Sequence, residues 1–223
     1  MTTETTAKTR ERLTRERVVE AALHVMDTDG LEAVSMRRVA REVGVEAMSL
    51  YHHVRDKDDL IDAICARVMH DFRIGDPDAP WLERAASAAR EWRRVLMLHP
   101  NVITLFSERR KPMTDIAALR PMENALAILH EAGLSDRDAV RMFNVLGGYI
   151  MGFVMMELGQ MFSAGTMDTD EPDPRELQQL LPRDMPRLAA SLPHLLHCEP
   201  DDQFELGLDI LLRGVLELGS GKA

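Results

Sequence analysis

The chain has 223 residues, which is enough for one large domain or for a small domain joined to a larger one. Apolar residues make up 45% of it and aromatic residues only 4%, and the apolar part is mostly Leu, Ala, Val and 15 Met, a mixture that favours helices over sheets. The two cysteines, Cys65 and Cys198, are too far apart for a disulfide framework or a cysteine-based zinc motif, so we expect a reducing cytoplasm.

The formal net charge of −10 argues against nucleic-acid binding unless the charge is unevenly distributed. Residues 1–70 hold 11 Lys and Arg against 13 Asp and Glu, whereas residues 71–223 hold 16 against 24. Basic residues cluster in the arm at 8–17 and again around Arg37 and Arg41. The N-terminal part can therefore carry a local cationic face although the whole chain is acidic.

Neither export nor a membrane span is predicted. Residues 1–17 are polar, and no apolar run follows them to form a signal peptide. The longest apolar stretch, Val145 to Met156, has 12 residues including three glycines, against about 20 apolar residues needed to cross a bilayer. We expect a buried helix there and no membrane partner.

Four helices are predicted in the first 70 residues. The first begins after the N-cap Thr14 and ends near the turn signal at Gly30. Ser35 caps a short second helix that Gly44 ends, and a third helix is expected from Glu46 to His53. The fourth helix has acidic side chains in its first turn, which complement the positive end of the helix.

The rest of the chain is predicted to form a larger helical domain. Its linker, residues 74–80, contains two prolines and a glycine and cannot continue the fourth helix. Helical periodicity or capping signals then mark residues 81–98, 119–131, 135–162 and 203–218. Residues 164–200 are polar and rich in proline, so we expect a long loop there.

Residues Ser35 to Val54 have the layout of a helix-turn-helix, with about eight residues of helix, a turn centred on Gly44 and a second short helix. The surrounding segment 28–60, TDGLEAVSMRRVAREVGVEAMSLYHHVRDKDDL, resembles the N-terminal domain of TetR/AcrR transcriptional regulators. Segment 204–215, FELGLDILLRGV, is similar to the closing helix of the tetracycline-repressor-like C-terminal domain. The resemblance therefore involves both ends of the chain.

The resemblance implies an all-α fold, with an N-terminal three-helix helix-turn-helix domain and a larger C-terminal helical domain for ligand binding and dimerisation. The expected domains are a flexible basic arm at 1–13, a DNA-binding domain including the linking helix at 14–70, and an effector-binding and dimerisation domain at 71–223. The implied function is a ligand-responsive transcriptional repressor that a small apolar or aromatic effector releases from a palindromic operator in double-stranded DNA.

Carried over to matching positions, the resemblance also implies a set of DNA contacts. Arg37 matches a base-contacting position, and its planar fork of donors suits a guanine edge. Tyr51, His53 and Lys57 match phosphate-contacting positions. The full set of expected DNA-binding residues is Ser35, Arg37, Ala47, Met48, Ser49, Tyr51, His52, His53 and Lys57.

Several of these residues also have a purely structural explanation. Arg37 can be solvated helix surface, and Tyr51 and His53 can be packing residues. Met48 can be a partly buried filler rather than a contact to a thymine methyl group. The residues expected to face the core instead are Val45, Leu50 and Val54.

Two helix-turn-helix units must lie about 34–36 Å apart to enter successive major grooves, which requires a dimer. The helix at 137–162 and the final helix at 203–218 are expected to form the interface, because together they present more apolar surface than one chain can bury. Gly147, Gly148, Gly152 and Gly159 each cost about 1 kcal/mol in a helix relative to Ala, so their concentration requires the close approach of another backbone. Packing inside the monomer is the alternative.

A small-molecule pocket is expected in the C-terminal domain, where flexible thioethers adapt to an apolar ligand. The residues expected to line it are Met97, Leu105, Phe106, Met122, Leu126, Met151 and Met155. Plain core packing is the alternative for each. The expected polar anchors are Arg93, Asn124, Asn144, Tyr149 and Glu157. Phe106 and Ala88 stand where tetracycline repressors hold a metal-binding histidine and polar drug contacts, which disfavours a magnesium-tetracycline ligand.

The alternative function is a helical enzyme or metal-binding protein that uses His194, His197 and Cys198. Their spacing does not match a zinc motif, and flanking prolines place them in the predicted loop, so surface roles are favoured. No nucleophile elbow, phosphate-binding glycine loop or paired-carboxylate motif is found, so no catalytic residue, metal or cofactor is expected. A third possibility is a helical adaptor that has lost DNA binding, which salt-dependent operator binding would exclude.

Overall fold

The structure is a computed structural model, and it describes residues 12–73, 75–108, 116–159, 181, 184–196 and 199–221. All regular elements within these ranges are helices, which confirms the predicted all-α class. The α-helices in chain order are α1 Arg15–Asp29, α2 Met36–Val43, α3 Ala47–Leu50, α4 Lys57–His70, α5 Trp81–Leu98, α6 Asn101–Glu108, α7 Ile116–Glu131, α8 Asp136–Glu157, α9 Pro186–Leu196 and α10 Pro200–Ser220. A short 3₁₀ helix, Leu31–Ala33, connects α1 to α2.

The chain divides into two compact units. The first consists of residues 1–73 and 94–124, and the second consists of residues 74–93 and 125–223. The four N-terminal helices and α6 thus belong to the first unit, whereas α8, α9 and α10 belong to the second. The predicted domain boundaries at residues 14 and 71 stay a prediction.

The predicted start of α1 and both predicted ends of α2 are confirmed by their capping geometry. Thr14 Oγ1 accepts a hydrogen bond from the backbone N–H of Arg17 at 3.3 Å, and Ser35 Oγ accepts one from the backbone N–H of Arg38 at 3.2 Å. Gly44 ends α2 in the left-handed conformation, with a φ of +73° that glycine adopts without steric cost. These caps fix the turn between α2 and α3.

The core of the first unit is formed by inward-facing apolar side chains of its short helices. α1 packs against both α2 and α4, and α2 packs against α3. The buried side chains include Val18, Met26, Val39, Leu50, Val54, Leu60 and Ile64. Burying one side chain of this size contributes about 1.5–3 kcal/mol, so these contacts hold the helix-turn-helix together.

The third helix is shorter than predicted. It spans Ala47–Leu50, whereas the sequence predicts a helix from Glu46 to His53. The chain leaves the helix because the N–H of His53 bonds to the carbonyl oxygen of Leu50 at 2.8 Å, which closes a three-residue turn. Residues 51–53 therefore lie on a turn that follows the helix.

The predicted loop at 164–200 is wrong in its last part. A helix that was not expected, α9, occupies Pro186–Leu196, and the final helix begins at Pro200 rather than at Gln203. Proline suits the first position of a helix, because the N–H that it lacks would have no partner inside the helix. A proline-rich sequence is therefore compatible with two helix starts in this region.

The helix α6 is also absent from the sequence-based prediction, which treats Pro100 as part of a break between helices. The N–H of Val102 bonds to the carbonyl oxygen of His99 at 3.0 Å, so helical bonding resumes directly around the proline. Here again the proline marks a helix start rather than a loop.

The helix α8 begins at the predicted cap Ser135 and ends at Glu157 rather than near Phe162. Among the described residues it is the one helix that is long and apolar enough to span a membrane by length and composition alone, with 22 residues and a mean hydropathy of 1.4. A single helix of this kind is weak evidence for a span. Val145 and Met156 are exposed on it, so the expectation of a buried helix is only partly met.

The second unit has its own core where α7, α8 and α10 meet. Its buried cluster consists of Leu129, Leu134, Ala139, Met142 and Val215. Near the end of α10, a Cβ atom at Gly219 would collide with the carbonyl oxygen of Ala132. Glycine therefore allows the end of α10 to lie directly against the turn between α7 and α8.

Candidate nucleic-acid interface

The short helix α3 is anchored on one side and open on the other. Leu50 and Val54 are buried as expected, and Val45 is half-buried. On the opposite side Met48 is 71% exposed, more than any other large apolar side chain in the described part of the chain. A large apolar side chain held in solvent on an anchored helix is available for contact with a partner.

The other predicted contact residues differ in exposure. The exposed ones are Ser35, Arg37, Tyr51, His52 and Lys57. The half-buried ones are Ala47, Ser49 and His53. They lie at the start of α2, on α3, on the turn after it and at the start of α4, so the predicted residues come together on one domain. Their contact with DNA stays a prediction.

Two adjacent arginines on α2 have different surroundings. Arg38 is paired with Glu42 at 2.5 Å and with Asp29 at 2.9 Å, and these hydrogen bonds raise the pKa of its guanidinium above its ordinary value. Arg37 is exposed on the same helix. The guanidinium of Arg38 is therefore paired with carboxylates of its own domain, whereas Arg37 is exposed to solvent.

One acidic side chain that the sequence analysis missed joins α1, the turn after α3 and α4. Asp59 accepts hydrogen bonds from the guanidinium of Arg15 at 3.1 Å and from the backbone N–H of Arg55 at 2.8 Å. Arg15 also donates to the carbonyl oxygen of His53 at 2.7 Å. The hydrogen bond from Arg15 is the main reason that the pKa of Asp59 falls to about 2, so this carboxylate is ionised at neutral pH.

The start of α6 is fastened to the end of α1 within the first unit. His99 Nδ1 lies 2.8 Å from the carboxylate of Asp27. The side-chain amide of Asn101 donates to the carbonyl oxygen of Met26, also at 2.8 Å. Two polar contacts therefore connect α6 to the helices of the candidate interface.

The predicted effector-pocket residues divide between the two units. Those of the first unit are Met97, Leu105, Phe106 and Met122, and those of the second are Leu126, Met151 and Met155. Leu105 is buried, whereas Met97 and Met122 are exposed. The side chain of Phe106 lies outside the described residues. The pocket stays a prediction.

Three of the predicted polar anchors have partners inside the second unit. Arg93 and Glu157 form a two-pronged ion pair at 2.7 and 3.0 Å. The same guanidinium lies over the ring of Phe204, 4.8 Å from its centroid. The hydroxyl of Tyr149 donates to the carbonyl oxygen of Phe204 at 2.8 Å. These side chains hold α5, α8 and α10 together, and their role as ligand anchors stays a prediction.

The residues of the rival metal site are only partly described. His194 is exposed on α9, and His197 and Cys198 lie outside the described residues. Within the described ranges, no three His, Cys, Asp or Glu side chains are grouped so that they could hold a metal ion.

The helices α8 and α10 each keep an exposed apolar face. Val145 and Met156 on α8 and Leu206 and Ile210 on α10 are between 42% and 63% exposed. A Cβ atom placed on any of the three glycines of α8 would meet nothing within 4 Å. Within the described residues, the predicted close approach of another backbone to these glycines is therefore not made.

A helix-turn-helix with an exposed second helix, joined to a larger helical part, defines the class of two-part helical regulators that bind DNA. The family model for bacterial regulatory proteins of the tetR family matches residues 18–64. The model for the tetracyclin repressor-like C-terminal domain matches residues 74–218. The chain belongs to the TetR family.

Two relatives illustrate the range of sequence similarity. The HTH-type transcriptional repressor DrrR1 of Streptomyces coeruleorubidus is 35% identical over 152 residues, which are 66% of this chain and 55% of DrrR1. The tetracycline repressor protein class D of Escherichia coli is 26% identical over 206 residues, which are 91% of this chain and 89% of that protein. The chain therefore spans little more than half the length of DrrR1 but most of the class D repressor.

The fold is also that of ActR from Streptomyces coelicolor. The structure of apo ActR is 27% identical and superposes with a TM-score of 0.76, covering 95% of this chain and 98% of ActR. ActR in complex with actinorhodin gives a TM-score of 0.75 at the same identity, covering 94% of this chain and 99% of ActR. None of these relatives is described as an enzyme, so the alternative built on His194, His197 and Cys198 is not supported.

Proposed function

We propose that the chain is a ligand-responsive transcriptional regulator, a repressor that binds a palindromic operator as a homodimer and releases it when a small molecule binds. The observation that carries this proposal is α3, which is anchored by the buried side chains of Leu50 and Val54 and presents Met48 to solvent. A short helix that is held from behind and open in front has the shape needed to enter a major groove.

The side chains around this helix have separate roles. Arg37 offers paired donors that fit O6 and N7 of guanine, and Met48 offers an apolar surface for a thymine methyl group. Tyr51, His53 and Lys57 contact phosphates and set the register of the domain on the duplex. The other predicted contact residues, Ser35, Ala47, Ser49 and His52, flank these groups.

A second copy of the chain is the partner that covers the apolar faces of α8 and α10. Exposed side chains such as Val145 on α8 and Ile210 on α10 lose contact with water when two such faces meet. The bare backbone at Gly148 leaves room for another helix to approach. Twofold pairing of the chains then sets two copies of α3 about one turn of DNA apart.

The effector is proposed to be a small apolar or aromatic molecule held by the C-terminal domain. ActR, which has the same fold, has been solved with actinorhodin bound. We propose that the effector binds more tightly to a dimer in which the α4 helices have moved, so that the two copies of α3 no longer match successive grooves. The contacts of His99 and Asn101 with the end of α1 give α6 a direct connection to the DNA-binding helices.

Operator binding is tested by titration of a labelled duplex that the wild-type chain has enriched from random DNA, with fluorescence anisotropy as the readout. Arg37→Ala should weaken binding by about 1–3 kcal/mol for each half-site, and so by about 2–6 kcal/mol for the dimer, because each subunit loses one good base contact. Arg38→Ala is the matched control, because it removes the same charge from the next residue, whose guanidinium is held by Glu42 and Asp29. Equal affinities for wild type and Arg37→Ala would contradict the proposed reading surface.

The effector is tested on the same protein–duplex complex. Actinorhodin is the first probe, and tetracycline with Mg²⁺ is the comparison, since the predicted pocket disfavours a metal-bound drug. We expect an aromatic effector to release the duplex and to raise the melting temperature of the free protein. If tetracycline with Mg²⁺ releases the duplex and actinorhodin does not, the result would contradict the proposed class of effector.

The proposal includes no catalytic step, no metal and no cofactor. A regulator of bacterial transcription acts on the chromosome, so we place the protein in the cytoplasm. A steep fall of duplex affinity with salt is expected, because cations on the protein replace counterions along the phosphates. Binding that is insensitive to salt would instead favour an adaptor that acts through protein contacts.

A further inference from the structure

The segment that follows α3 is held by two charged side chains from other helices, Arg15 of α1 and Asp59 of α4. Arg15, in the first turn of α1, donates to the carbonyl oxygen of His53 at 2.7 Å and to the carboxylate of Asp59 at 3.1 Å. Asp59, in the first turn of α4, also accepts the backbone N–H of Arg55 at 2.8 Å. One arginine and one carboxylate therefore bond to the backbone on both sides of Val54.

This network holds the segment of backbone that lies between two of the phosphate-contacting residues of the proposed interface. His53 and Lys57 lie on either side of the segment that Arg15 and Asp59 hold. The side chain of Arg55 is 85% exposed, and its Nε lies 3.7 Å from the carboxylate of Asp59. An exposed cation two residues after His53 and two before Lys57 is a further candidate for contact with a phosphate.

The carboxylate of Asp59 is negatively charged, although it lies near the surface that is proposed to bind the phosphates of DNA. Its side chain is only 12% exposed, so its negative charge is largely enclosed by Arg15 and Arg55. Judged by charge alone, Asp59 opposes the approach of a phosphate backbone, and its removal strengthens binding. Judged by its hydrogen bonds, it orders the turn, and its removal weakens binding. The two explanations therefore predict opposite changes in operator affinity when Asp59 is replaced.

We propose that Arg15 and Asp59 are positioning residues for operator binding, which lock the turn after α3 so that His53, Arg55 and Lys57 face the phosphate backbone. The inference rests on the proposed function, because it concerns the same interface. It adds three residues that are not among the DNA contacts implied by the family resemblance. Arg55 touches DNA directly, whereas Arg15 and Asp59 act through the turn that they hold.

The test measures operator affinity for the full-length wild type and for Asp59→Asn, Arg15→Ala and the double variant. The probe is the duplex that the wild-type chain enriches from random DNA, and the readout is fluorescence anisotropy at several salt concentrations. Each single variant should bind about tenfold more weakly, and the double variant should bind no more weakly than the poorer single variant, because both changes break one network. The slope of log affinity against log salt should become shallower by about two for a dimer, since one phosphate contact is lost from each subunit.

Two further variants separate positioning from charge and from folding. Asp58→Asn removes the same charge from the neighbouring residue and should leave the affinity unchanged or slightly higher. Arg15→Lys keeps the positive charge but not the planar fork that reaches both His53 and Asp59, and it should bind more weakly than wild type while keeping the wild-type melting temperature. This variant keeps the inference testable if Arg15→Ala does not fold.

Unchanged or tighter binding by Asp59→Asn would overturn the inference, and so would additive losses in the double variant or an unchanged salt slope. Failure of the wild-type chain to enrich any duplex is a different result, because it contradicts the proposed function itself. A wild-type chain that enriches a duplex, together with variants that bind it equally well, contradicts only the role of Arg15 and Asp59.

Discussion

The ring of Tyr149 on α8 lies so close to Gly207 on α10 that a Cβ atom at position 207 would collide with the Tyr149 hydroxyl oxygen. The ring is not free to turn away, because its hydroxyl donates to the carbonyl oxygen of Phe204 and its face stacks on the Phe204 ring at a centroid distance of 5.6 Å. Phe153 adds an edge contact to Phe204 at 5.3 Å. Glycine at position 207 therefore permits the packing of α8 against α10.

The variant Gly207→Ala is expected to lower the free energy of unfolding by about 1–3 kcal/mol, the usual cost of overpacking a core site. In a Tyr149→Ala background the same change should be neutral or slightly stabilising, because the colliding ring is gone and alanine favours a helix. Urea unfolding followed by circular dichroism measures both effects. Equal losses in the two backgrounds would show that the ring is not the cause.

Two ion pairs of the second unit share a two-pronged geometry but differ in exposure. The side chains of Arg93 and Glu157 are 15% and 16% exposed, whereas those of Arg90 and Glu205 are 53% and 45% exposed. Arg93→Ala should lower the free energy of unfolding by about 2–3 kcal/mol, since it leaves a nearly buried carboxylate without its partner. Arg90→Ala should cost less than about 1 kcal/mol, because solvent screens the exposed pair.

These two variants are compared by urea unfolding at one fixed protein concentration, because the stability of a dimer depends on concentration. The Arg90→Ala protein is the matched control for the loss of one arginine that is held by two hydrogen bonds. Similar losses for both variants would mean that burial does not set the strength of these pairs.

The helix-turn-helix could be predicted from the sequence because its signals act over a few residues. The cap at Ser35, the turn at Gly44 and the apolar spacing around Leu50 are each visible within one helical turn of the chain. The structure confirms the caps and the buried side of the third helix. This helix is shorter than predicted, because the turn after Leu50 closes over three residues. The types of residue in that turn give little indication of the hydrogen bond that ends the helix.

The charge networks could not be predicted in the same way, because their partners are distant in sequence. Arg15 and Asp59 are separated by 44 positions, and Arg93 and Glu157 by 64. For an arginine on an amphipathic helix, the sequence offers many carboxylates as possible partners. Only the packing of the helices determines which carboxylate lies within hydrogen-bonding distance. The helix α9 was missed for another reason, since proline favours both loops and helix starts.

Acid should weaken the first unit through Asp59. The pKa of this carboxylate is about 2 in the folded chain, below its ordinary value of 3.8, so the folded state binds the proton less readily than the unfolded state does. The resulting stabilisation, about 2 kcal/mol, is present above about pH 4 and is lost as the pH falls towards 2. Asp59→Asn should therefore lose less stability than wild type over this interval.

The measurement for Asp59 is urea unfolding at a series of pH values between 2 and 6. Arg15→Ala serves as a second variant, since it removes the main cause of the low pKa and should also reduce the dependence on pH. Parallel curves for wild type and Asp59→Asn would contradict the assignment of this acid sensitivity to Asp59.

The proposed dimer makes a prediction about Gly148. A Cβ atom at this position meets nothing within 4 Å in the part of the chain that the structure describes, so Gly148→Ala would stabilise an isolated subunit by about 1 kcal/mol through helix propensity. In the dimer the backbone of the second copy lies over this position, and the same change should weaken association. Sedimentation equilibrium over a range of concentrations measures the effect.

The control for Gly148 is Thr104→Ala, which improves helix propensity on α6, a helix of the first unit, whereas α8 and α10 belong to the second. Its association should match that of the wild type. A Gly148→Ala protein that associates as tightly as wild type and melts at a higher temperature would place this part of α8 outside the interface.

The central claim is that two copies of α3 enter successive major grooves of one duplex. Selection of bound fragments from random double-stranded DNA by the full-length wild-type protein tests it most directly. We expect an enriched inverted repeat whose half-sites are centred about 10–10.5 base pairs apart, or a small multiple of that distance. No enrichment over competitor DNA, or a single motif without a repeat, would contradict it.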